Sequence, residues 1–358
     1  MCRRRLARFA LLALALLQPL LAARAGEPVL APAESLPHSL RETGLYAPGG
    51  GHELAPGIVP FSPQYALWSD GADKRRWLSV PDGAFIDARN PDEWEFPAGI
   101  RLWKEFAHAG RPVETRYIAR LADGRWQFAA YVWNADASDA VLAPDRGIAA
   151  LPAPGAPGGR YAIPSRNDCL ACHGSGAVPV LGVSALQLSA DRDPLAPHGT
   201  QGGADEIDLR ALAARGWLRN LPAALLERPP RVAATSPVER AALGYLHANC
   251  GNCHNASAAR VPVRLNLAHS VVDPAGSRAT ALRTAHASSR YHPPGPDEYP
   301  SVIAAGDAAA SVLAVRMASR DPQVQMPPLG TQVPDAEGLA LVRRWIDHHL
   351  PRPKEPPP

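Results

Sequence analysis

Two CxxCH motifs constrain this chain more than any other feature of its sequence. Cys169, Cys172 and His173 stand in CLACH, and Cys250, Cys253 and His254 in CGNCH. The spacing lets two thiols add to the two vinyl groups of one haem while the adjacent histidine becomes an axial ligand of its iron. Two copies therefore predict two covalently bound haem c groups, with Cys169, Cys172, Cys250 and Cys253 as thioether carriers and His173 and His254 as metal ligands. CxxC pairs also build zinc sites and redox dithiols. The duplication of the whole motif, histidine included, favours haem.

The fifth cysteine, Cys2, belongs to what reads as an address. Met1 to Arg8 is Arg-rich, Phe9 to Ala22 is apolar, and Ala23, Arg24 and Ala25 form an A-x-A cleavage site, so residues 1–25 are expected to be a signal peptide. The apolar run is about 14 residues and contains Pro19, short of the ~20 that a spanning helix needs. Cleavage would remove five arginines and turn 37 basic against 34 acidic residues into 32 against 34, a net charge of −2. It would also leave four cysteines, all in the motifs. A periplasmic protein is expected, exported and soluble, with no transmembrane segment after cleavage and no nucleic-acid partner.

Six of the eight tryptophans lie between residues 61 and 133, whereas the four remaining cysteines follow residue 168. That shift divides the chain into a β-rich unit at 26–142, a Pro/Gly-rich linker at 143–160, a first haem module at 161–235 and a second haem domain at 236–358. Val113, Thr115, Tyr117 and Ala119 alternate with Glu114, Arg116, Ile118 and Arg120, and a second alternating run covers 126–133. Asp123 and Gly124 form a two-residue hairpin turn between them. With further strands at 76–80 and 101–106, the expected N-terminal fold is all-β, an antiparallel sandwich. The rest is expected to be mainly α. Ser236, Pro237 and Glu239 open a helix with an N-cap, an N1 proline and a capping-box partner. Others are expected at 205–215, from Asp307 to about Ser319, and from Asp335 to His349.

Between the second motif and the last helix lies Met326-Pro327-Pro328-Leu329-Gly330. This order resembles class I cytochrome c, in which a loop methionine before the last helix completes the iron coordination. The resemblance implies a cytochrome c-like second domain and Met326 as sixth ligand of its haem; a His/Met pair raises the reduction potential. Met317 sits in a helical run with Val312, Leu313 and Val315 and reads as core. No methionine lies between the two motifs, so histidines are the candidates at the first haem. His198, in a loop 25 residues after His173, is one; His247, three residues before Cys250, is the alternative, as iron ligand or propionate contact. A more distant ligand or an open site remains compatible with the spacing. His269, His286, His38, His52 and His108 show no ligand spacing. Asp70, Asp73 and Lys74 around Trp68 fit a polar site or a strand-start turn equally well.

The chain also resembles a family of bacterial periplasmic diheme c-type cytochromes with a tryptophan-rich N-terminal β-domain. The stretches that carry the resemblance include WSDGADKRRWL (68–78), EFPAGIRLWKEF (95–106), IPSRNDCLACH (163–173), YLHANCGNCHN (245–255) and QMPPLG (325–330). The resemblance sharpens the class without naming a reaction; the two CxxCH sites and the Met326 loop lead to the expectation of single-electron transfer between a donor, such as a dehydrogenase or a quinol oxidoreductase, and a terminal acceptor. One alternative is a peroxidase-like diheme enzyme in which the first haem is catalytic and the second relays electrons. Another is that the tryptophan-rich domain binds a partner or polymer.

Overall fold

The computed structural model describes residues 32, 35–200, 202–257, 263–289, 291 and 301–350. The expected signal peptide lies outside them. Among the described residues no helix is long and apolar enough to cross a membrane.

The two alternating runs form β5 (Arg111–Arg120) and β6 (Trp126–Trp133), joined as expected at Asp123 and Gly124, whose φ of 84° suits glycine. They lie within a six-stranded antiparallel sheet with β1 (Val59–Pro60), β2 (Asp73–Ser79), β4 (Arg101–His108) and β7 (Ala140–Leu142), in the order β1-β2-β4-β5-β6-β7. This corrects the expected sandwich. Beyond it there are only two small pairs among the described residues: β3 (Ile86–Asp87) with β10 (Leu218–Arg219), and β8 (Ile148–Pro152) with β9 (Arg160–Ile163). The stretch read as a linker thus carries β8 and pairs with the segment that leads into the first motif.

A single sheet must bury both faces against something other than a second sheet. On one face Trp77, Trp103, Tyr117, Tyr131 and Trp133 pack under Leu36, Leu40 and Leu45 of the N-terminal segment. The tryptophans are therefore mostly core. The other face presents Leu78, Leu102 and Phe128 to the C-terminal half and shares one continuous core with Leu186, Leu243, Leu246 and Trp345.

That half is not the mainly α, cytochrome c-like region expected. Its helices are α1 (Arg166–His173), α2 (Leu209–Ala214), α3 (Ala224–Glu227), α4 (Pro237–Asn249), α5 (Pro274–Ala285), α6 (Val312–Ala318) and α7 (Ala336–His348). Only three reach 12 residues, and irregular chain laid against the sheet connects them. Helices this short draw their stability from tertiary packing rather than propensity. The expected helix at 205–215 shrinks to six residues because Asp208 caps it, accepting from the Ala211 N–H at 2.7 Å. Ser236 caps α4 as expected, but Glu239 does not close a capping box. Its Oε2 accepts from the Thr235 N–H, and Oε1 accepts from Arg278 at 2.6 Å. Helices α4 and α7 meet where Gly338 lies on Tyr245; a Cβ at Gly338 would fall 2.3 Å from the tyrosine ring.

Residues 61–70, between β1 and β2, tie the halves together. The Tyr65 hydroxyl donates to Asp193 at 3.0 Å, and the Trp68 N–H donates to Asn249 Oδ1 at 2.7 Å. The Trp68 indole donates to the Val333 carbonyl at 3.0 Å.

Candidate functional site

The first motif occupies α1. Ser165 and Asp168 cap it reciprocally: the Asp168 N–H donates to Ser165 Oγ at 3.1 Å and the Ser165 N–H to Asp168 Oδ2 at 2.9 Å. Positions i, i+3 and i+4 share a helix face, so Cys169, Cys172 and His173 point the same way. The second motif is built differently. Cys250 is the C-cap of α4, and a turn follows in which the Cys253 and His254 N–H groups both donate to the Cys250 carbonyl, at 3.1 and 2.8 Å.

The motifs meet in space although 81 residues separate their first cysteines. Cys253 Sγ lies 3.9 Å from the Ala171 carbonyl inside the first motif, and the Asn255 amide donates to the Ser175 carbonyl at 3.4 Å. The Cys172 and Cys253 thiols act on each other, which pushes the first up and pulls the second down. Burial raises Cys169, and raises Cys250 to about 12. All four cysteines are free.

All four thiols, His173, His254, Met317 and Met326 line one cavity of about 1950 Å³ between the sheet and the C-terminal half. Its volume is about twice the upper end of the roughly 300–1,000 Å³ of an ordinary small-molecule site. His173 Nδ1 lies 2.6 Å from the Pro179 carbonyl, which fixes the proton on Nδ1 and leaves the Nε2 lone pair free. A histidine that ligates a metal through one nitrogen characteristically donates the other N–H to such an acceptor. Burial lowers His173 to about 4, so the ring is neutral. His254 Nδ1, by contrast, is buried with no hydrogen-bond partner among the described residues, and burial lowers its pKa as well.

The two candidate ligands for the first motif diverge. His198 is not among the cavity-lining side chains. Its Nε2 is 2.9 Å from Asp335, the N-cap of α7, its Nδ1 faces Glu337 at 3.5 Å, and its ring packs on Trp68. Both nitrogens are engaged in holding the start of α7. His247 does line the cavity. Its Nδ1 accepts the His269 N–H at 3.0 Å, which places the proton on Nε2. That tautomer donates from Nε2, as a propionate contact requires and an Nε2 iron ligand does not.

Met326 stands on a loop fastened at two points. Its N–H donates to the Arg316 carbonyl at 2.9 Å, and Asp70 accepts from the Gln332 and Val333 N–H groups at 2.8 and 3.0 Å. Asp70 thus belongs to the support of the methionine loop, a role that its place next to Trp68 did not reveal. Spacing also failed to single out His269, which lines the cavity, and the charged side chains of its sheet wall, Arg76, Lys104 and Arg116.

The donor set suits the group that the motifs imply: four unpaired thiols in two CxxC pairs, a histidine with its free nitrogen defined, and room beyond that of a single ligand. Comparison with protein-family models, curated proteins and solved structures finds no match for this chain.

Proposed function

We propose that this chain is an exported diheme c-type cytochrome, related to the periplasmic family that its motifs resemble, which passes single electrons between redox proteins or a quinol donor and an acceptor. The observation that carries this reading is the convergence of both CxxCH motifs on one cavity, with His173 held in the tautomer that a proximal ligand needs. Cys169 and Cys172 would hold one haem and Cys250 and Cys253 the other, His173 and His254 would each ligate an iron, and Met326 would join His254 at the second motif. When bound, each haem supplies a one-electron iron couple.

The chain's own residues then do three things. Pro179 keeps the His173 imidazole oriented and basic. Asp70 and Arg316 hold the Met326 loop in place. The sheet and the 61–70 belt line the cavity, and the contact between Cys253 and Ala171 brings the two attachment sites close together, which favours transfer between them. Purified holoprotein is expected to carry two covalent haems per chain by mass and haemochrome absorbance, with a methionine-to-iron charge-transfer band that Met326→Ala abolishes. Bound zinc, or no haem after expression with a cytochrome-maturation system, would overturn the reading.

A second reading, a peroxidase-like enzyme with the first haem catalytic, is favoured by one observation: His198 faces α7 and His247 presents a donor, so neither offers a lone pair at the first motif. A high-spin ferric signal, and peroxide turnover lost in His173→Ala with the second haem intact, would establish it.

A further inference from the structure

The wall of the cavity formed by the sheet carries a charge pattern that neither motif explains. Arg76 of β2 stands directly opposite Lys104 of β4, and Lys104 directly opposite Arg116 of β5. Three cations therefore sit in one row across three adjacent strands, spanning roughly 10 Å at the usual strand spacing. All three line the cavity. Like charges directly opposite one another destabilise a sheet, and Arg76 and Lys104 are half-buried.

Among the described residues, only one of the three has an ion-pair partner. Arg116 makes a two-pronged pair with buried Glu114, at 2.8 and 3.0 Å, and the Tyr161 hydroxyl donates to the same carboxylate at 2.6 Å. Lys104 touches the Phe106 ring at 4.7 Å and has no ion pair among the described residues. Arg76 has no side-chain hydrogen bond or ion pair among them either; Glu206 acts on it only from beyond ion-pair distance. Burial and the neighbouring cations push Lys104 well below its ordinary pKa, and burial lowers Arg76 to about 10. The row therefore sets two cationic groups without an ion-pair partner among the described residues at the cavity, on rigid strands, where burial disfavours their charged forms unless an anion offsets the cost.

We infer that Arg76 and Lys104, steadied by the Arg116–Glu114–Tyr161 cluster, form a dicarboxylate-binding site on the sheet wall beside His173. Arginine offers a planar fork to one carboxylate and lysine a point charge to the other. The two carboxylates could come from the propionates of a haem held at His173, which rests on the diheme reading, or from a free organic diacid, which does not.

The test uses holoprotein, with succinate as probe, in wild type, Arg76→Gln, Lys104→Gln and the charge-preserving Lys104→Arg. Arg75→Gln, on the opposite face, serves as control. Haem content and thermal unfolding are measured on the same samples. A free-diacid site predicts calorimetrically detectable succinate binding, weakened at least tenfold by Lys104→Gln and by Arg76→Gln and restored by Lys104→Arg. A propionate site predicts no succinate binding, and a lowered potential for one haem in both Gln variants. The expected shift is a tenfold change in the one-electron equilibrium, about 59 mV, with Arg75→Gln unchanged. Absence of both effects would overturn the inference. A chain without covalent haem would sink the diheme reading alone, and the succinate titration would still decide the row.

Discussion

The two CxxCH motifs share a spacing and little else. The first lies on a capped helix, and its histidine donates Nδ1–H to Pro179. The second straddles the end of α4, and its histidine leaves Nδ1 buried and without a partner among the described residues. The first motif is thus rigid on its own side but has no evident second ligand among the described residues. The second has a histidine without an Nδ1 partner among the described residues, on the same cavity as a methionine loop that Asp70 and Arg316 hold. One spacing can serve unlike sites because the shell around it, rather than the motif, sets orientation and basicity.

On the proposed diheme reading, the largest effect should come from removing either thiol pair. Cys169→Ala/Cys172→Ala and Cys250→Ala/Cys253→Ala should each halve the haem content, but only the second should remove the methionine-to-iron band. Loss of that band in the first variant would show that Met326 serves the other motif.

Acid should distinguish the regions next. Burial lowers His247 and His269, both beside the second motif, to about 4. Their folded values lie below the unfolded value, so their contribution is present above about pH 6.5 and is lost as pH falls towards 4, where the unfolded chain binds protons that the folded chain does not. Each shift corresponds to about 3 kcal/mol, and the slope to at most about 2.7 kcal/mol per pH unit for the two together. Denaturant unfolding from pH 7 to 4 in wild type and His269→Gln should show a shallower slope in the variant. An unchanged slope would place the acid sensitivity elsewhere.

A smaller effect is expected from Asp70→Ala, which removes the carboxylate that holds the Gln332 and Val333 N–H groups. Hydrogen bonds to a charged group contribute about 1.5–3 kcal/mol. The methionine-to-iron band should weaken on warming at temperatures where wild type retains it, while the first motif's signature stays fixed. The smallest is expected from Ser165→Ala, which removes half of the α1 capping box for about 1 kcal/mol. Its spectral consequence should be confined to the haem at His173; an effect on both haems would mean that the contact between Cys253 and Ala171 couples the motifs mechanically.

The legible parts were those written in short spacings. The β5–β6 hairpin and the Ser236 cap are each specified within a few residues and the structure carries both, although Glu239 does not complete the capping box expected with Ser236. The sandwich and the mainly α half failed for a common reason. Strand alternation in β5 shows that its two faces differ, but not that the Glu114–Arg116 face looks into a cavity instead of solvent. Helix signals such as Asp205 compete with caps and loop contacts that are visible only in the fold. His198 was singled out by its distance from His173 along the chain, yet 137 residues separate it from Asp335, the carboxylate that claims it.

By itself the sequence determined the reactive inventory: which side chains can carry two CxxCH-bound groups, and in what order. Covalent spacing is a local property, and no packing can alter it. Tertiary structure alone decided that both motifs share one cavity, that His247 donates from Nε2, that Asp70 braces the Met326 loop and that Arg76, Lys104 and Arg116 align across three strands. Each of these depends on register and on contacts between distant segments, which burial of a common core imposes and local pattern does not encode.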